Sequence, residues 1–193
     1  RRFESEGFTA IAINMPTLRF SFDAIVEQLD FILKNLKDIQ EINFVVYGFS
    51  GLVLRKLLAK SWGWRRRMKI GRIVTINVPN NGAIWGRKLK NAPIISHFLG
   101  KAMQIYDPNE VEFLPDFSKS LEIGVLTTWN SVGRILVKIT PKSWKDIFPS
   151  RKDSYISSAK EITAVKYLGI NPCAGNKIIS HCISFIKDGN FKS

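Results

Sequence analysis

Residues 42–58, Ile-Asn-Phe-Val-Val-Tyr-Gly-Phe-Ser-Gly-Leu-Val-Leu-Arg-Lys-Leu-Leu, limit the possible folds of this chain more than any other stretch. Ile42–Tyr47 is nearly continuous in apolar residues, as expected of a strand covered on both faces of a parallel sheet. A Gly-Phe-Ser-Gly turn follows at once, and leucine then recurs at helical spacing. A strand that gives way to a helix across one tight turn folds back over its own sheet. That is the opening of a βαβ unit.

The rest of the chain repeats the alternation. Phe8–Asn14 reads as a short buried strand closed by Met15-Pro16. Ser21 or Asp23 caps a helix from about Phe22 to Leu36, with Ile25, Leu29, Ile32, Leu33 and Leu36 on one face. The helix after the turn runs to about Lys60. Ile70–Val78 is a third strand ending in Pro79-Asn80-Asn81-Gly82, and Ala83–Leu89 is expected to be helical. Residues 91–118, interrupted by Pro93, Pro108 and Pro115, read as a cap or lid segment. Leu121–Thr128 and Ala164–Ile170 supply the fourth and fifth strands, with irregular sequence over 130–160. Asn176–Lys187 is a final helix stopped by Gly189. The expectation is one α/β domain over residues 1–193, with a mainly parallel sheet of about five strands and helices on both faces.

The turn resembles the nucleophile elbow of α/β-hydrolases of the bacterial lipase and esterase group. There, a strand–G-H-S-M-G-G-L-V–helix segment lifts a serine above the sheet. Residues 70–90 are similar to that group's G-R-V-V-x-L-x-x-P-N-x-G-S stretch, and Asn14–Arg19 to its N-Y-P-S-x-R turn. Phe185–Phe191 looks like the end of its last helix. The resemblance implies a partial α/β-hydrolase fold whose first strands, with the His-Gly loop, would precede residue 1.

Aligned without gaps, Gly51, Leu52 and Val53 match, and Arg55 takes the place of a commonly basic residue. Gly48 then holds the nucleophile position, and Ser50 falls on the second elbow glycine. The backbone N–H of Phe49 takes the oxyanion-hole position. Asp153, in Asp-Ser-Tyr-Ile, is the candidate acid, with Asp146 a weaker alternative and a solvated loop aspartate the plain reading. The triad histidine would lie near Asn171, but Tyr167–Pro172 contains none. His181 comes about ten residues late on the final helix, and His97 precedes Asp153, the wrong order.

Glycine cannot form an acyl-enzyme, and a serine hydroxyl without a base is a weak nucleophile at neutral pH. The resemblance therefore implies a lipase- or esterase-like carboxylic ester hydrolase scaffold that has lost its activity. A small acyl or lipid-like molecule is the expected ligand. The alternative is an active serine ester or lipid hydrolase with a displaced nucleophile, Ser50, served by Asp153.

A third reading comes from charge. With 29 Lys and Arg against 16 Asp and Glu, the formal net charge is +13. Such a field favours nucleic acid, anionic membrane or other acidic partners. Trp62-Gly63-Trp64-Arg65-Arg66-Arg67-Met68-Lys69 is the one dense cluster, so Arg65, Arg66, Arg67 and Lys69 are candidate anion-binding residues. A solvated basic loop after the elbow helix, its tryptophans covering the sheet edge, is the competing reading. No nucleic-acid-binding motif accompanies the cluster. No metal or cofactor is expected. Arg1–Glu6 has no apolar run behind it, no stretch of 18 apolar residues occurs, and Cys173 and Cys182 suit reduced thiols. A cytoplasmic setting is expected, with peripheral membrane contact left open.

Overall fold

A computed structural model describes residues 1–17, 19–60, 63–82, 105, 108–129, 152–167 and 175–192. In chain order the elements are α1 (Arg2–Ser5), α2 (Phe22–Asn35), β1 (Glu41–Tyr47), α3 (Phe49–Ala59), a 3-10 turn (Gly63–Arg66) and β2 (Lys69–Ile76). Then come α4 (Pro108–Glu112), β3 (Glu122–Trp129), β4 (Glu161–Lys166) and α5 (Asn176–Asp188). The four strands pair in the order β1-β2-β3-β4. Every pair is parallel.

Side chains of successive strand residues point to opposite faces, and this divides the core in two. Ile73, Ile123 and Val125 face α2 and α3, where Ile25, Leu29, Leu52, Val53 and Leu57 are buried. Val74, Ile76, Leu126 and Val165 face α5, meeting Ile178, Cys182 and Phe185. Helices thus cover both faces of the sheet. On the α5 side two rings lie so close to Gly124 that a Cβ there would stand 2.7 Å from Phe191 and 2.9 Å from Phe185.

Local rules account for the helix limits. Ser21 caps α2 by accepting from Ala24 N–H at 3.3 Å, and Asp23 and Lys34 complement the helix dipole at its two ends. Gly189, at φ 77°, ends α5 in the left-handed conformation that glycine adopts without a Cβ clash. Three helix C-termini are each held by an arginine. Arg67 donates to Lys34 O at the end of α2, Arg65 to Leu58 O at the end of α3, and Arg72 to Ile186 O and Lys187 O at the end of α5.

The segment expected as the first strand departs from its reading. Phe8–Asn14 is extended, yet it joins no strand of the sheet. An apolar run marks a buried strand only when a neighbour offers its edge, and β1 lies across a gap from this segment. The last strand ends at Lys166, earlier than the expected Ile170. Of the expected lid, residues 108–118 are described together with residue 105. Val111, Leu114 and Phe117 are buried in the α2–α3 core. The helix expected over 83–89 lies outside the described residues.

Candidate functional site

All four strands point their carboxyl ends the same way, so the turns leaving β1 and β2 lie side by side. Open α/β sheets bind ligands at this end. Gly48 forms the first turn, with φ 53° and ψ −120°, a conformation open almost only to glycine. Its N–H donates to Ile76 O of β2 at 2.9 Å, so the turn residue is tied to the sheet by backbone alone. Gly51, one turn into α3, is required by contact. A Cβ there would overlap both methyls of Val78, and its absence lets the helix lie against the chain leaving β2.

Phe49 opens α3, with its ring buried edge-on against Phe22 at 5.7 Å between centroids. Its N–H belongs to the first helical turn, where donors have no intrahelical acceptor. Ser50 is held differently. Its hydroxyl accepts from Tyr47 N–H and donates to Tyr47 O, both at 2.9 Å. The proton a base would have to remove is committed to a backbone carbonyl.

The second turn was not legible as a site. Asn77 stands at φ 48°, and its side chain extends the β2–β3 pairing, donating to Thr128 Oγ1 at 2.6 Å and accepting from Thr128 N–H at 2.8 Å. Asparagine tolerates this conformation better than most residues. Beyond it, Asn81 N–H donates to Asp153 O at 2.9 Å, while the Asn81 amide donates to Lys152 O and Tyr155 O. Half-buried Asp153 is thus clasped to the loop that leaves β2, at the same end of the sheet as Gly48.

Arg55 braces this loop from beneath. Its buried guanidinium donates to Asn80 O, Pro115 O, Leu114 O and the Asp116 carboxylate at 2.7–2.9 Å. Burial pulls its pKa below the usual arginine value, and Asp116 opposes that shift. The match to a commonly basic position flagged the residue, but nothing in the pattern revealed its partners.

Asn171, Asp146 and His97 lie outside the described residues. His181 sits on α5, buried and facing Phe191, on the α5 side of the sheet. Desolvation, followed by the charge of Lys177, holds its pKa below the ordinary histidine value. Among the described residues no cluster of His, Cys, Asp and Glu suits a metal. No helix of the described residues is long and apolar enough to cross a membrane.

In the basic cluster Trp64 does not cover a sheet edge. It is buried beside α2, and its indole N–H donates to Asp30 at 3.0 Å, so no open ring face remains for stacking on a base. Arg65 and Arg67 are the helix-capping residues described above, and Lys69 pairs with Glu41 at 3.2 Å. Arg66 is exposed.

No known family profile matches the sequence. No curated protein matches it either. Solved structures do match. The metagenomic carboxyl esterase MGS0156 superposes with a TM-score of 0.59 at 12% identity, over 78% of this chain and 51% of that one. A Bacillus licheniformis lipase, BlEst2 in mature form, aligns with a TM-score of 0.49 at 11% identity, over 75% of this chain and 63% of that one. The chain spans about half the length of the esterase. Its parallel sheet with helices on both faces has a partial α/β-hydrolase architecture. At this identity the likeness concerns the fold.

Proposed function

We propose that this chain is a lipase- or esterase-type α/β-hydrolase scaffold without ester-hydrolysing activity, kept for binding rather than for turnover. The observation that carries the reading is the turn after β1. Its backbone has the left-handed geometry of an elbow at Gly48, where no side chain exists to attack a carbonyl. Ser50, the nearest hydroxyl, supports the same reading because both its donor and its acceptor are engaged by Tyr47. The stretch Tyr167–Pro172, where the resemblance would put the triad histidine, contains none, and this supports the same reading. The ligand proposed for the carboxyl end of the sheet is a small acyl or lipid-like molecule.

A serine-directed fluorophosphonate tests this directly. The expected result is labelling no faster than that of the denatured chain. Gly48→Ser alone is expected to leave a short ester unhydrolysed, because no base awaits the new hydroxyl. Stoichiometric labelling of the unaltered chain, abolished by Ser50→Ala, would overturn the proposal and make Ser50 a displaced nucleophile.

A further inference from the structure

In a parallel sheet with helical crossovers, the carboxyl ends of the helices and the starts of the strands meet at one end of the molecule. Here that is the amino end of the sheet, opposite the turn at Gly48. Three short segments converge on it: the last turn of α2, the loop into β1 and the 3-10 turn into β2. They bring together Lys34, Lys37, Arg65, Arg66, Arg67 and Lys69, all exposed. Backbone contacts join the segments, since Arg67 donates to Lys34 O at 2.9 Å and Lys69 N–H to Gln40 O at 2.8 Å.

The acids of the same rim do not balance these cations. Asp30 is buried between Lys34 and the Trp64 indole, and Glu41 pairs with Lys69. Asp38 is left against Lys37 and the three arginines. The side chains of Lys37 and Arg66 enter no ion pair or hydrogen bond among the described residues. Arg65 and Arg67 are held in place, yet each cap uses a single nitrogen of a guanidinium that has five N–H donors. A helix end carries only about half a negative charge, so each capping arginine stays net positive. Because the fold already orders these two side chains, an anion meeting them need not immobilise them again.

We infer that this rim docks the protein on an anionic membrane surface, with its arginines and lysines on lipid phosphate and carboxylate groups and the Gly48 end turned to water. The rim offers charge and little else. Trp64 and Met68 are buried, so among the described residues of the cluster no ring or thioether lies open to stack on a base. A partner recognised by charge alone is a surface dense in anionic groups, and a lipid leaflet is one. The rim lies at the opposite end of the sheet from the function proposed above, and the inference stands without that reading.

The test is co-sedimentation of the full chain with vesicles of phosphatidylserine and phosphatidylcholine in equal parts. Binding to these is expected, and none to vesicles of phosphatidylcholine alone. A basic residue near such a surface contributes about fivefold, so Lys37→Gln with Arg66→Gln should weaken binding about twenty-five-fold. The control is Lys152→Gln with Lys177→Gln, which removes the same charge from the carboxyl end of the sheet. The seven residues of β1 put that end about 20 Å away, some two Debye lengths, so the control should change binding less than about twofold. All four side chains are exposed, so both variants are expected to fold, and an unchanged circular dichroism spectrum would establish it. Absence of binding to the phosphatidylserine vesicles would overturn the proposal. Equal losses from the two pairs would do the same, since net charge and not the rim would then be acting. Preference for an oligouridylate over the vesicles at equal phosphate concentration would assign the rim to nucleic acid and overturn it too.

Discussion

The two turns at the carboxyl end of the sheet, after β1 and after β2, adopt nearly the same left-handed φ, 53° at Gly48 and 48° at Asn77, by opposite means. Gly48 needs no side chain; its conformation costs little, and two backbone bonds fix it, its N–H donating to Ile76 O and its C=O accepting from Gly51 N–H. Asn77 carries a side chain in a disfavoured conformation and recovers that cost by extending the ladder to Thr128. The loop beyond it is then tied down by Asn81 and braced by Arg55. In the first turn a left-handed backbone is kept by a residue with no side chain; in the second, polar side chains are committed to holding the loop. On the function proposed above, elbow geometry and catalytic capacity would be separable properties.

The comparison breaks most severely at Arg55. Arg55→Leu strands the carbonyls of Asn80, Leu114 and Pro115 in or near the core, and is expected to cost about 3–5 kcal/mol. The check is urea unfolding, with the midpoint reduced and the slope kept. Asn77→Ala comes next, at about 2 kcal/mol, since it keeps the left-handed backbone and removes both bonds to Thr128. Gly48→Ala is expected to cost about 1–2 kcal/mol from backbone strain alone. A Gly48→Ala loss larger than that of Asn77→Ala would reverse the ranking of the two turns. Ser50→Ala should cost least, about 0.5 kcal/mol, because water at the sheet edge can replace the hydroxyl at Tyr47.

What the sequence made legible depends on how local each cause is. β1, α3 and β2 fall within a residue or two of expectation because apolar period, turn glycines and caps act over a few residues. Phe8–Asn14 reads as a strand by the same signals and is none here, since strand pairing is a property of two segments. Trp64 was visible as an aromatic beside arginines, but its partner Asp30 lies on α2, a contact no spacing announces. The site divides likewise. The missing side chain at Gly48 needs only the sequence, whereas Asn77 and Arg55 act through partners 25 to 61 residues away. In the basic cluster, Arg65 and Arg67 cap helix ends, a use of arginine that leaves no mark in composition.

The seam between α1 and α5 has a consequence in the order of opening. Arg2 reaches Asn176 O and Ser180 at 3.3 Å, and Lys187 pairs with Glu6, contacts that span 174 to 181 residues of chain. All of them are exposed, where solvent screens the charges and water competes for each donor and acceptor. Contacts closing so long a loop form late and, when this weak, part early. Among the described residues, residues 1–14 are therefore expected to lift before β2 or β3 loosens. That lifting frees the flank of the gap beside β1 while the sheet stays intact, so the edge becomes reachable at a frequency set by α1 rather than by global unfolding.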